Sequence, residues 1–230
     1  MDNQQDYILN SNQIQVLLTG TFGDGHIAET PNKKGYYQTS GIYKEYIEVK
    51  KALLGNLVTA DVRSEINGGY KDNIIHKFSS LRTESIYNLH KLSLEEKLNK
   101  LNSLGIALWF YDDGSLHQKK QFYNLCTHKF TEEEHKEILI PYFKSKGTNP
   151  VLRIERKADD RVFFYLSFNR HDGAFKITQM LRKHYVECFE YKMWSSETIQ
   201  KWSKLQAQLK SEDMNVSKRK FTNLLNSYKI

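Results

Sequence analysis

The chain has 230 residues, of which 39% are hydrophobic and 13% aromatic, enough for the packed core of one large domain or two small ones. Its 34 Lys and Arg residues against 27 Asp and Glu residues leave a net charge of +7, which favours a polyanionic partner or substrate. Cys126 and Cys188 form no Cys-x-x-Cys pair and the eight histidines show no zinc-ligand spacing, so neither disulfides nor structural zinc are indicated.

The N-terminal stretch MDNQQDYILN has neither the basic region nor the apolar region of a secretory signal peptide. No run approaches the roughly eighteen apolar residues of a membrane span. We therefore expect a protein that is neither secreted nor bound to a membrane, in the cytoplasm or an organellar matrix.

The first part of the chain alternates helices with hairpins. An apolar helix is predicted from about Asn12 to Gly23-Asp24-Gly25, followed by the strands HIAET and GYYQTS around a Pro31-Asn32 turn. Apolar residues at helical spacing then run from Ile42 to Leu54 and stop at Gly55. A second hairpin, LVTADVRS with NIIHKFSS, and the short helix TESIYNLH complete an αββαββα unit.

The same order of elements then recurs. Ser93 to Glu96 form a capping box that opens a connecting helix, and SLGIALWFYDDG repeats the apolar helix with an Asp-Gly end. The strand QFYNLCT follows, and Thr131 to Glu134 form a second capping box before a helix that Pro141 should kink. The hairpin PVLRIER with RVFFYLSF and a closing helix at Phe175 to Leu181 complete the copy, offset by 89 residues at the aspartates Asp24 and Asp113.

These repeats define three predicted segments. Residues 1–92 form the first half and residues 93–193 form the second half with its connecting helix. Residues 194–230 are rich in Lys, Gln and Ser, have weak helical spacing and lack a counterpart in the first half, so we expect a loosely packed helical extension.

Two apolar helices that end on aspartates suggest a cation site. A carboxylate at a helix C-terminus faces the negative end of the macrodipole, a cost of roughly 0.3–1 kcal/mol. The small residues Thr19, Gly20, Gly105 and Ala107 would let the two helices pack side by side and bring Asp24 close to Asp113. Two close carboxylates raise each other's pKa unless a cation lies between them, and Mg²⁺ prefers such ligands together with phosphate oxygens. For either Asp-Gly taken alone, a plain turn or helix cap is the favoured explanation, and the occurrence of two such ends is what favours a cation site.

The predicted hairpins carry basic, polar and aromatic side chains around this acidic centre. Strand ribbons fit the major groove of B-DNA, where Arg, Lys and Gln read base edges and contact phosphates. For any single member of the set, a solvated strand face is the alternative. The candidate DNA-binding residues are His26, Lys33, Lys34, Tyr37, Gln38, Arg63, Lys71 and Lys77 in the first half, and His117, Lys119, Lys120, Gln121, Tyr123, Arg153, Arg156, Lys157 and Arg161 in the second.

With these motifs in place, the sequence resembles the LAGLIDADG homing endonucleases, in particular the single-chain members with two motif copies. LGIALWFYDDGSL is similar to the family motif with Asp113 at the acidic position, and VLLTGTFGDGHI is similar through Asp24, although Thr19 stands where the family usually has glycine. The segments NLCTHKFTEEE and FEYKMWSSET extend the resemblance over about residues 12–193.

The resemblance implies an α+β fold in which two pseudo-symmetric αββαββα subdomains form saddle-shaped antiparallel sheets around a two-helix interface. It implies Asp24 and Asp113 as metal ligands, with Gly23 and Asp112 as secondary members of that set. It also implies one basic residue from each half beside the site: Lys192 in the second half and Lys91, with His90 as the alternative, in the first.

The implied activity is Mg²⁺-dependent hydrolysis of both strands of a long, asymmetric DNA target by a monomer, with Mn²⁺ as a substitute metal and intron homing as the setting. Three alternatives stay open: a group I intron maturase that binds intron RNA, a DNA-binding regulator on a relic nuclease fold, and a generic metallohydrolase. The last would explain the acids but neither the two copies nor the basic hairpins.

Overall fold

In a computed structural model, the described residues are 7–66, 74–117, 119, 121–156 and 161–211. Helices and strands alternate in the first half as the sequence predicts. In chain order they are α1 (Ser11–Phe22), β1 (Gly25–Thr30), β2 (Lys34–Gly41), α2 (Lys44–Leu54), β3 (Arg63–Ile66), β4 (Ile74–Ser79) and α3 (Glu84–Lys91), with a 3-10 turn at Gly55–Leu57.

The second half repeats this order after a short connecting helix. Its elements are α4 (Leu94–Asn99), α5 (Ser103–Asp113), β5 (Gly114–His117), β6 (Phe122–Cys126), α6 (Glu132–Glu134), α7 (Ile140–Ser145), β7 (Val151–Arg156), β8 (Val162–Phe168) and α8 (Phe175–Lys183), followed by α9 (Ser196–Ser211). Two π-helical segments, His135–Leu139 and Arg170–Ala174, and a 3-10 segment, Glu187–Lys192, join some of these elements.

Each half contains one four-stranded antiparallel sheet. The strand orders β1-β2-β4-β3 and β5-β6-β8-β7 are the same arrangement twice, which confirms the predicted repeat. The registers agree as well, because Gly25 pairs with Thr39 in the first sheet and Gly114 pairs with Leu125 in the second. Thr39 and Leu125 are therefore equivalent positions in the two halves.

Helices α1 and α5 pack against each other and carry the centre of the core. Both begin at a capping residue, Asn10 and Asn102, whose side-chain oxygen accepts from backbone N–H groups of the first turn. Both are apolar on most of their circumference, because each packs against the other helix and against its own sheet.

One polar side chain joins the two helices. Gln15 of α1 donates to the Lys100 carbonyl (3.0 Å) and accepts from the Asn102 backbone N–H (2.9 Å), so it fixes the entry to α5. A Cβ on Gly105 would lie 2.3 Å from the Gln15 amide oxygen, so the close approach predicted at Gly105 is real. Gly20 serves a different contact, since its Cβ would meet the ring of Tyr37 in β2 at 2.1 Å.

One local prediction is wrong, and two further details of the elements come from the structure. The segment Leu57–Ala60 is not part of a strand, and the predicted hairpin begins only at Arg63. Strand β5 directly follows the Asp-Gly end of α5, a stretch that the pattern left unassigned. Pro141, predicted to kink its helix, follows a π-helical segment, and the wider turn of that segment accommodates the missing proline N–H and the bulk of its ring.

The start of the C-terminal extension belongs to the core. The Trp194 and Trp202 rings meet edge to face at 5.6 Å, and Phe175 lies 6.1 Å from Trp202. Trp202 and Leu205 of α9 are fully buried, so this part of the extension is well packed, contrary to the prediction. Within the described residues, no helix is both long and apolar enough to span a membrane.

Candidate active site

The two predicted aspartates lie where the central helices end. Asp24 stands between α1 and β1, and Asp113 is the last residue of α5 before Gly114 opens β5. A Cβ on Gly23 would lie 2.8 Å from the Asp112 Cβ and 3.1 Å from a carboxylate oxygen of Asp113. The two helix ends are thus in direct contact, and only a glycine at position 23 permits it.

Burial and the charges of neighbouring acids hold the pKa of both carboxyl groups above its ordinary value. Burial is the larger cause at Asp113, and with the charges of Asp24 and Asp112 it raises the pKa to about 7. Burial, and then the charge of Asp112, also raises the pKa of Asp24. These negative charges are concentrated at one place, as a site for a cation requires.

Asp112 is not available to a metal. Its Oδ1 accepts from Lys50 Nζ (2.8 Å) and from the Tyr46 hydroxyl (2.7 Å), and its Oδ2 lies 3.0 Å from the same Lys50 Nζ. The Lys50 and Asp112 side chains are each only 1% exposed. The secondary metal role predicted for Asp112 is therefore replaced by a buried ion pair that joins α2 to α5.

Lys192, predicted as the basic residue of the second half, lines a cavity together with Asp24. Its Nζ donates to the Tyr111 carbonyl (2.6 Å) and lies 4.8 Å from the centre of the Phe189 ring. Burial lowers its pKa, while the charges of Asp112, Asp24 and Asp113 act in the opposite direction. The ammonium group is thus within electrostatic range of both candidate metal ligands.

A second lysine, Lys129, was missed by the sequence reasoning. Its Nζ donates to the Thr21 carbonyl near the end of α1, just as Lys192 caps the end of α5. Burial lowers its pKa to about 8, opposed first by the charge of Asp113. One sequence signal could have identified Lys129. It lies in the loop directly after β6, and β6 runs back along β5 towards the helix ends that carry Asp24 and Asp113.

Lys91 lies further out than predicted. Its Nζ is 2.7 Å from a Glu29 carboxylate oxygen, and His90 Nε2 lies 3.3 Å from the same oxygen. Lys50, Lys129 and Lys192 act on the pKa of Asp24, and Lys129 and Lys192 on that of Asp113, but Lys91 is not among the principal groups for either. A catalytic role for Lys91, or for His90, stays a prediction.

Strand register sorts the candidate DNA contacts by face. Ile27 and Tyr37 pair with each other and are buried against the helices, as is Tyr123, so the prediction that Tyr37 and Tyr123 contact DNA is wrong. Residues of opposite parity point away from the helices and form the open faces of the two sheets. His26, Lys34, Gln38, Arg63 and Lys77 lie on the open face of the first sheet, and His117 and Arg153 on that of the second.

The remaining candidates occupy turns and strand ends. Lys33 lies in the β1–β2 turn, Lys119 and Gln121 lie in the β5–β6 turn, and Arg161 stacks on Phe163 at 5.5 Å. Arg156 ends β7 on the helix-facing side of the strand, in register with Val162. Lys71, Lys120 and Lys157 lie outside the described residues.

The open face of the first sheet continues into the acidic centre. A cavity of about 500 Å³ is lined by Asp24 together with His26, Gln38, Ser40, Arg63 and Lys77. Across residues 7–211, outside the gaps in the description, no three His, Cys, Asp or Glu side chains converge as a metal cluster. The candidate ligand set is thus a carboxylate pair, which suits Mg²⁺ because this ion takes further ligands from water and phosphate.

Residues 14–175 match the sequence profile of the LAGLIDADG DNA endonuclease family. The chain belongs to this family. A "Probable intron-encoded DNA endonuclease 3" from Mycosarcoma maydis is 31% identical over 101 residues, which cover 42% of this chain and 66% of that relative, just under two thirds of its length.

Solved structures agree on the family fold. The homing endonuclease I-WcaI bound to its DNA recognition sequence superposes with a TM-score of 0.68 at 19% identity, covering 83% of this chain and 89% of that one. I-DmoI in complex with DNA and Mn superposes with a TM-score of 0.50 at 13% identity, covering 77% of this chain and all of that one. These similarities confirm the predicted architecture of paired sheets around two central helices.

Proposed function

We propose that this protein is a site-specific DNA endonuclease that cuts both strands of a long, asymmetric target in a Mg²⁺-dependent reaction. The observation that carries the proposal is the contact between two acid-bearing helix ends, which lie between a first sheet with a basic open face and a second sheet whose open face carries Arg153. The names of the relative and of the superposed structures, which describe DNA endonucleases, support the same reaction class.

The sheets account for DNA recognition. An antiparallel strand ribbon fits the major groove, and each half would cover about one helical turn, which gives a target on the order of 20 base pairs. The open faces differ in sequence, so the target need not be palindromic. We take residues 1–92 and 93–193 as the two reading halves; one chain supplies both acids, so a monomer suffices.

The carboxylate pair fits a hard divalent cation. Asp24 and Asp113, with the Gly23 backbone as a further candidate, would hold Mg²⁺ or Mn²⁺, and a cation would offset the burial and the neighbouring acidic charges that raise both pKa values. Such an ion supplies Lewis-acid stabilisation of phosphate charge and lowers the pKa of water.

The lysines supply the remaining positive charge. Lys129 and Lys192 approach the site from the loop after β6 and from the 3-10 segment, each anchored on a helix carbonyl. Groups held in this way would stabilise negative charge on the scissile phosphate without having to reorient. Lys91 and His90 would act from the outer edge of the site.

The direct test is cleavage of a randomised double-stranded DNA library by the purified protein, with Mg²⁺ and with EDTA, followed by sequencing of the cut ends. We expect Mg²⁺-dependent double-strand breaks at one long motif, and no breaks with Asp24→Asn or Asp113→Asn although both variants still bind the motif. Cleavage at the wild-type rate by either variant would overturn the metal assignment.

A parallel binding assay distinguishes the endonuclease from the two alternative functions, a DNA-binding regulator and a maturase. Retention of one DNA motif without any cleavage would favour a DNA-binding regulator. Selective retention of a structured intron RNA would favour a maturase. The intron-encoded relative is consistent with a cytoplasmic or organellar site of action.

A further inference from the structure

An apolar surface borders the acidic centre. Ile42, Tyr43 and Tyr191, here called the central lip, are 54%, 36% and 55% exposed. They line a cavity of about 220 Å³ together with Asp24 and Lys192. A side chain of the lip is therefore near any phosphate held at Asp24.

The lip rests on a rigid aromatic base. The ring of Phe189 stacks on Tyr111 of α5 at 5.0 Å and meets the Tyr43 ring edge to face at 5.2 Å. The Tyr191 ring lies 6.2 Å from the same phenylalanine. Because Phe189 is buried, the exposed parts of Tyr43 and Tyr191 are supported from below and would lose little freedom on contact with a ligand.

The two halves differ at the position that Tyr43 occupies. Thr39 and Leu125 are equivalent by register, and four residues onward the first half has Tyr43 where the second half has Lys129. Tyr43 packs on Phe189, whereas Lys129 caps the Thr21 carbonyl. Tyr43 thus places an aromatic ring beside the site at the position where the second half has a lysine.

The geometry of B-DNA determines which groove would contact the central lip. If each sheet lies in the major groove and the two positions are one helical turn apart, the minor groove faces the protein midway between them. The helix ends and the lip stand at that midpoint. Apolar and aromatic side chains at a minor groove press on sugars and base steps and favour steps that deform easily.

We propose that the central lip contacts the minor groove beside the phosphate held at Asp24 and makes the protein selective for the base step at that position. The proposal rests on the proposed function, since it takes double-stranded DNA as the occupant. The lip supplies apolar contact, and Lys192 supplies charge complementary to the adjacent backbone.

The test compares Tyr191→Ser with Tyr185→Ser on the motif found by library cleavage. Tyr185 is a matched control because it is 49% exposed and nearby in sequence but does not line the cavity. Cleavage is measured on targets in which only the central base steps vary. Binding is measured in an Asp113→Asn background with 2-aminopurine at the central positions, whose fluorescence reports unstacking.

We expect Tyr191→Ser to weaken binding by about tenfold, to reduce 2-aminopurine fluorescence and to relax the step preference on one side of the centre. Tyr185→Ser should change none of these, and Ile42→Ser should act in the direction of Tyr191→Ser. If Tyr191→Ser and Tyr185→Ser behave alike while the wild type cleaves, the lip proposal fails and the endonuclease proposal stands. If the wild type neither cleaves nor binds DNA, both proposals fail.

Discussion

The ammonium group of Lys50 lies 2.8 Å from a carboxylate oxygen of Asp112, and both side chains are almost completely buried. The pair connects the first-half helix α2 to the last turn of α5, one residue before Asp113. It neutralises a third acid that would otherwise add its full charge to the repulsion between Asp24 and Asp113.

Loss of the Lys50 ammonium group should lower the free energy of unfolding. Lys50→Met leaves the Asp112 carboxylate buried without its cation, so we expect the free energy of unfolding to fall by about 3–5 kcal/mol. Urea unfolding followed by circular dichroism measures this. Lys51→Met is the control, since that lysine pairs with the fully exposed Asp61 and should cost at most about 1 kcal/mol. Equal effects of the two variants would contradict the assigned role of the buried pair.

Lys129 should matter more for cleavage than Lys91. Lys129→Met removes an ammonium group anchored beside Asp113, so we expect the single-turnover cleavage rate at saturating protein to fall by about 10²–10³-fold. Lys91→Met removes a cation that pairs with Glu29 and should have a smaller effect. A larger loss in Lys91→Met would restore Lys91 as the principal basic residue of the first half.

Substitution of two arginines of β7 should show which face of the second sheet contacts DNA. Arg153 pairs with Tyr165 on the open face, while Arg156 pairs with Val162 on the helix-facing side, and both are exposed. We expect Arg153→Ala to weaken DNA binding, either at one base position or uniformly with a smaller salt dependence, and Arg156→Ala to have little effect. Affinity measured over a series of salt concentrations and single-base target variants tells the outcomes apart. A stronger effect of Arg156→Ala would mean that DNA does not lie on the open face.

Stability should fall in mild acid because of His135. This histidine is fully buried, with Nε2 2.7 Å from the Thr127 hydroxyl and Nδ1 2.6 Å from the Thr131 carbonyl, and burial lowers its pKa. The unfolded state then binds more protons than the folded state below the ordinary pKa of about 6.5, so stability is full above that pH and declines below it.

We expect His135 to contribute to the loss of unfolding free energy between pH 7 and pH 5, because the unfolded chain takes up the proton that the buried imidazole resists. In His135→Gln, this part of the pH dependence should disappear, as urea unfolding at several pH values would show. His117→Gln, which removes an exposed histidine at the end of β5, serves as the control. An unchanged pH slope in His135→Gln would rule out the buried imidazole as the cause.

The fold could be predicted from the sequence because its signals are local. Capping residues before α4 and α6, the apolar runs of α1 and α5, and alternating strand patterns each specify an element without reference to distant residues. The position of Asp24 and Asp113 at the helix ends follows from the Asp-Gly steps. The widened turn before Pro141 could not be predicted, since it depends on how the surrounding helix accommodates the ring.

The side-chain environment of the site was less accessible from the sequence. The sequence pattern alone places Tyr37 and Tyr123 on the DNA face, but both lie in the core. Which parity of each strand faces the helices is known only from the burial of Ile27 and Leu125. Lys50 and Lys129 reach the centre through contacts between elements far apart in sequence. No spacing rule within either segment indicates such a contact.

Two lysines each contact an element of the opposite half, and this limits how one half can be combined with a half from another protein. Lys129 belongs to the second half but caps the end of the first-half helix α1, and Lys50 of the first half neutralises an acid of the second. A chimera that joins either half to a foreign partner would inherit an aspartate without its cation. The interface between the halves must therefore be transferred as one unit, which includes Lys50, Asp112, Lys129 and Gly23. The residues of the open faces can be exchanged independently of it.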